Sequence, residues 1–145
     1  LVLALLQSVV FMALLPFTGL ALSWEGIGLS ILILTATGMT LTGLGFLLAW
    51  SMSSTQGFHA VMNLLLVPMW LLSGALFPPS GTAEWLGVII RLNPLYYVTT
   101  LFQRTFFLGS GVRIAEGPST AVSLLVFATL FLLLFFISLR LVRRP

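Results

Sequence analysis

The sequence predicts an all-α membrane protein with four transmembrane helices and two short amphipathic interfacial helices in the external loop before the last span. Three observations carry this. Hydrophobic residues make up 59% of the 145 and charged residues only 6%, with a mean hydropathy of +1.18. A soluble domain would carry roughly a quarter of its residues as charged side chains. Four apolar stretches are long enough to span, since crossing the hydrocarbon core takes about 20 residues of helix. Finally, Arg140, Arg143 and Arg144 cluster in the last six residues. Such a tail flanks a membrane and is not a nucleic-acid stripe, so no nucleic-acid partner is expected. The chain is read as one transmembrane domain over residues 1–145. It opens on Leu1 in the middle of an apolar run, which suggests the carboxy-terminal part of a longer protein.

The first span is placed at 1–22, with Pro16 expected to kink it. No basic leader or small-residue cleavage site marks this stretch as a signal peptide. Ser23 to Gly26 forms a short turn, and the second span follows at 27–50. A polar link ending at His59 leads to a third span at 60–77, which contains Pro68. The fourth occupies 121–139 and stops at the arginines. The positive-inside bias puts the carboxy terminus in the cytoplasm of a multi-pass protein of the plasma or inner membrane. By alternation all three glutamates, Glu25, Glu84 and Glu116, fall outside, as do Arg91, Arg104 and Arg113 in the external loop 78–120.

That loop is too long to lack structure of its own. Trp85, Val88, Ile89 and Leu92 recur at helical spacing with Glu84, Gly87 and Arg91 opposite, which predicts one amphipathic helix. Asn93 followed by Pro94 reads as the N-cap and first position of another, because Asn accepts an orphan amide bond and Pro has no amide to satisfy. Its apolar side is expected at Leu95, Val98, Phe102 and Phe106, with Thr99, Gln103 and Tyr96 turned away. Tyr96 and Tyr97 suit the headgroup level. As interfacial or re-entrant pieces, the two helices would form a lid at the outer mouth of a pathway, with Trp85, Arg91, Asn93, Pro94 and Tyr97 as outer-gate candidates.

The run from Pro68 through Trp70, Ser73, Gly74 and Phe77 to Pro78, then Trp85-Leu86, then Leu92-Asn93-Pro94-Leu95-Tyr96-Tyr97, resembles the ABC type-2 exporter permease family. The resemblance covers Pro68 to Arg104 and rests on the order and spacing of several small motifs. It implies a six-helix permease with cytoplasmic termini, of which this chain holds the last four helices. It also implies a second permease copy, as a homodimer or paired half, and a cytoplasmic ABC ATPase subunit carrying the ATP. The family's acidic residue after the Asn-Pro-Leu motif is replaced here by Thr99-Thr100, which puts a charged role at that point in doubt. The family's ATPase-docking helix would precede Leu1.

Absences narrow the function further. A chain without Lys cannot carry the Gly-x-x-x-x-Gly-Lys phosphate loop, so no cofactor is expected on this chain and hydrolysis is assigned to a partner. Without Asp, and with no Glu inside a span, ion-coupled transport is disfavoured. An intramembrane protease with Ser73 as nucleophile and His59 as base is weighed against a bland reading and set aside. Lone His59, with no Cys and no second His, does not make a metal site. Thr35, Gly38, Thr42, Gly45 and Ala49 form a small-residue stripe, read first as helix packing and second as a pathway lining, with Ser73 and Gly74 grouped beside it. Trp24, Trp50, Trp70 and Trp85 are assigned to membrane anchoring. The function expected is a permease subunit of an ATP-driven exporter surrounded by lipid, doing no covalent chemistry. The competing expectation is a non-transporting membrane scaffold.

Overall fold

The computed structural model describes residues 2–14, 17, 23–79, 81–111 and 117–143. Pro16, Arg113, Glu116 and Arg144, invoked above, lie outside these residues, as do both ends of the 1–22 stretch. The regular elements among the described residues are all helices, in the order α1 (Val2–Leu14), α2 (Trp24–Trp50), α3 (Thr55–Leu71), α4 (Glu84–Leu92), α5 (Pro94–Phe106) and α6 (Thr120–Val142).

Two of these helices, α2 and α6, are long and apolar enough to cross a membrane. At 1.5 Å per residue the 27 residues of α2 extend roughly 40 Å, the thickness of a bilayer with its headgroup layers. Trp24 and Trp50 stand exposed at its two ends, where amphipathic rings favour the interface. Ser23 starts the helix by accepting from the Gly26 amide at 3.0 Å, so α2 begins at Trp24 and not at residue 27. Ser119 caps α6 in the same way, and α6 runs beyond residue 139 to Val142.

The third apolar stretch is displaced from its expected bounds. Ser54 accepts from the Gly57 amide and opens α3 at Thr55, so the polar residues up to His59 join the helix. At the other end α3 stops at Leu71 instead of reaching 77. Gly74, at φ +83°, turns the chain out of the helix, a conformation that side chains with a Cβ avoid. A 17-residue α3 is only about 25 Å long.

The core is built on α5, which packs along both α2 and α6. Its register is fixed by named contacts. The Thr105 hydroxyl lies 3.3 Å from that of Ser30. Val98 and Leu101 pack with Ile33 against Phe127 of α6. Pro94 and Leu95 stand beside Thr37, Thr40 and Leu44, around an apolar cavity of about 180 Å³. Thus α5 runs antiparallel to α2, and its first turn lies near Thr37, roughly 20 Å along α2 from Trp24. Helix α5 is an inserted core element and does not lie flat across the span ends. Backbones meet most closely where α5 exits: a Cβ on Gly26 would stand 2.6 Å from the Thr105 carbonyl oxygen. Large apolar side chains remain exposed on every helix except α5, among them Leu3, Leu32, Leu64, Val88 and Leu125, as expected for lipid-facing surfaces around a central α5.

Candidate functional site

The α3–α4–α5 junction gathers the polar residues singled out from the sequence, and Asn93 is its centre. The Asn93 side chain is buried at 8% exposure with every hydrogen bond on the protein. Its Oδ1 accepts from the Leu95 amide at 3.0 Å, which is the predicted N-cap. Its Nδ2 donates to the carbonyls of Met69 at 2.6 Å and Leu72 at 2.8 Å. The last carbonyls of a helix have no intrahelical partner. One amide therefore closes the end of α3 and opens α5, tying residues 21 and 24 positions apart in sequence. Pro94 occupies the first turn of α5, where its missing N–H costs nothing.

Gly74 and Tyr96 form the second contact. A Cβ on Gly74 would lie 2.7 Å from Cδ2 of the Tyr96 ring, so the chain leaving α3 rests on that ring. Tyr96 is 7% exposed and Thr100 is 4% exposed, which corrects the expectation that Tyr96 faces away. Thr100 can enter the core because its hydroxyl donates to the Tyr96 carbonyl at 2.8 Å. Ser73 is buried beside Gly74. His59 sits twelve positions before Leu71 near the far end of α3, on the order of 20 Å from Ser73 by helical rise, and no nucleophile–base pair exists.

Arg91 and Tyr97 form the outer edge of the junction. The Tyr97 hydroxyl donates to the Arg91 carbonyl at 2.8 Å, closing the corner between α4 and α5. Both line an open cleft of about 430 Å³, with Tyr96, Pro79, Gly117 and Val122. Trp85 is exposed with Val88, Ile89 and Leu92. The buried side of α4 is Gly87 and Ile90, so its apolar stripe turns outward and Gly87, assigned to the opposite side of the helix, turns in.

The small-residue stripe of α2 does not meet this junction. Thr42 is exposed and Thr35 half-buried, and both hydroxyls donate to their own helix at Ile31 and Gly38. Gly45 faces Met62 of α3. The face that packs on α5 carries Gly26, Ser30, Ile33 and Thr40. These are spaced four, three and seven residues apart, which puts them on one helix face, and three of the four are small, so a packing signal was present on another face. At the junction the sequence reading turned Tyr96 the wrong way, and at the far end of α5 it passed over the contact between Ser30 and Thr105.

The family model for the ABC-2 type transporter matches residues 1–107, which includes the whole of α1 to α5. The chain belongs to the ABC-2 type transporter family. No curated protein and no solved structure matches it. The family places this ABC-2 permease in a membrane, in keeping with two span-length apolar helices and the exposed apolar surfaces. In that setting α5 enters the helix bundle from the Trp24 side, with Asn93 at its inner end, where α4 joins it in a hairpin that touches the bundle through α5. A polar tip at that depth is stable because its hydrogen bonds are all met within the protein.

Proposed function

We propose that the chain is the transmembrane permease subunit of an ATP-driven ABC exporter. It works with a second permease copy and a cytoplasmic ATPase subunit that binds and hydrolyses the ATP. In this reading the carboxy terminus is cytoplasmic, the Trp24 side of the bundle faces outward, and the protein resides in the plasma or inner membrane. Export follows from switching between inward-open and outward-open arrangements, with hydrolysis on the partner biasing the equilibrium.

The observation that carries the proposal is α5, packed against α2, α3 and α6, with α4 joined to its inner end at Asn93, whose amide ties both to the end of α3. It supports an outer gate. A gate must have two discrete positions, and the apolar cavity beside Pro94 and Leu95 gives the hairpin tip space to move into. Trp85, Arg91, Asn93, Pro94 and Tyr97 act in gating, with Ser73 and Gly74 as the surface on which the hairpin closes. The stripe of Thr35, Gly38, Thr42 and Gly45, largely free of α5, is left for packing against the second copy or for lining the path.

The test is reconstitution of the full-length protein with its cognate ATPase in proteoliposomes. The ATPase should co-purify with the permease, and its hydrolysis rate should change on binding. Absence of both effects refutes the exporter reading and favours a membrane scaffold.

A further inference from the structure

The open cleft beside the hairpin has a composition that helix packing does not require, and two of its residues, Arg91 and Tyr97, are those assigned above to the gate. Arg91 contributes a guanidinium, and Tyr96 and Tyr97 contribute rings set edge to face with centroids 5.5 Å apart. Val122, in the first turn of α6, forms the opposite lip. Among the described residues the Arg91 guanidinium has neither an ion pair nor a hydrogen bond. Tyr97 holds the Arg91 backbone through its carbonyl, so the base of the side chain is fixed while its charged end has no partner among the described residues.

With the bundle set in a membrane by its family and with α2 taken as a span, the cleft falls within the thickness of the bilayer. Val98, one turn or less beyond Tyr96 and Tyr97, packs on Ile33, roughly 13 Å along α2 from Trp24. An arginine at such depth is expensive unless it meets water or an anion. Next to it, α4 presents Trp85, Val88, Ile89 and Leu92 outward, all exposed. A guanidinium recessed below the headgroup level, flanked by phenols and bordered by apolar surface, matches an amphiphile whose anionic head enters the cleft while its chains lie along α4. Guanidinium is suited to phosphate because its fork of donors makes bidentate, charge-assisted bonds.

The geometry points to a binding site for an anionic phospholipid of the leaflet on the Trp24 side, with the phosphate on Arg91 and the acyl chains against α4. The inference depends on the membrane placement of the hairpin and not on the exporter reading.

The test uses the purified full-length protein in neutral detergent, titrated with acyl-labelled phosphatidylglycerol and, separately, acyl-labelled phosphatidylcholine. Phosphatidylglycerol should bind about tenfold more tightly, with the preference weakening as salt is raised. Arg91→Gln should abolish the preference and Arg91→Lys retain part of it. Val122→Glu, which adds a carboxylate at the opposite lip on an exposed first-turn position where Glu suits the helix, should also abolish it. This second variant decides the matter if Arg91→Gln does not fold. Equal affinity for the two lipids overturns the inference, as does a preference unchanged in Val122→Glu. Displacement of the lipid by millimolar inorganic phosphate also overturns it, since the site would then be one for a free anion. Glu116 precedes Gly117 in the sequence. If it were the partner of Arg91, Arg91→Gln would lower the Tm and leave the lipid preference unchanged, a result that equally rejects the proposal. Loss of ATPase coupling with the lipid preference intact would refute the exporter reading alone.

Discussion

Replacing Asn93 with Asp separates two roles that replacement with Ala would blur. As an N-cap, Asp is as good as Asn, so a residue that only capped α5 would tolerate the change. The structure gives Asn93 two further bonds, donated by Nδ2 to the Met69 and Leu72 carbonyls, and an ionised carboxylate has no donor to offer them. Hydrogen bonds between helices in membranes average about 0.6 kcal/mol and reach about 1.7, whereas a buried carbonyl left unsatisfied costs about 1–3 kcal/mol. For two carbonyls in a buried site, Asn93→Asp should therefore destabilise the protein by about 2–6 kcal/mol. Asn93→Ala, which also loses the cap, should destabilise by a similar amount. The assay is reversible unfolding of the purified protein in mixed micelles by a denaturing detergent, followed by tryptophan fluorescence. Asn93→Asp within about 0.5 kcal/mol of wild type, with Asn93→Ala near the 1 kcal/mol of a lost cap, would refute the bridging role.

Gly74→Ala should destabilise by about 2 kcal/mol or more in the same assay, since a Cβ there meets both a left-handed backbone and the Tyr96 ring. Ser30→Leu should cost about 1–3 kcal/mol by overpacking a fully buried position against Thr105, while Ser30→Ala should cost less than about 1. Thr35→Ala and Thr42→Ala should each change stability by under about 0.5 kcal/mol, because their hydroxyls bond within α2; larger losses would return the stripe to the packing core of the single chain. The double replacement of Asn93 and Pro94 by Ala should reduce transport-coupled ATP hydrolysis more than complex assembly, and unchanged coupling would count against a gating hairpin.

The parts of this fold that sequence exposed were those written in local chemistry. Asn93-Pro94 announced the start of α5 because a cap and a proline act on adjacent residues. Trp50 marked the end of α2, whereas its start was set three residues late because Ser23 to Gly26 was read as a turn and not as the capped first turn of the helix. The Nδ2 bonds to α3 were not legible, since nothing local records a partner 21 or 24 residues away. Which face of α2 packs was hidden by the solvent itself. Lipid-facing residues such as Leu32 are as apolar as the buried Ile33, so periodicity does not separate inside from outside in a membrane. Two small-residue faces lay on one helix, and only contact with α5 distinguishes them. The burial of Tyr96 and Thr100 went unseen because polar side chains read as outward. Thr100 escapes that rule by returning its hydroxyl to its own helix. The end of α3 at Leu71 turned on the left-handed Gly74, which the uninterrupted apolar run through Phe77 masked.

The central claim is that the α4–α5 hairpin penetrates the bilayer with Asn93 at its inner tip, and the depth of two spin labels tests it most directly. Leu92 and Leu108 are both exposed, flank α5 at its opposite ends, and can each carry a single engineered cysteine with little disturbance. In a reconstituted bilayer the label at Leu92 should lie at least about 10 Å deeper than that at Leu108, given the roughly 20 Å length of α5, with oxygen as its favoured collision partner over a water-soluble nickel complex. Two labels at the same headgroup depth would contradict the account.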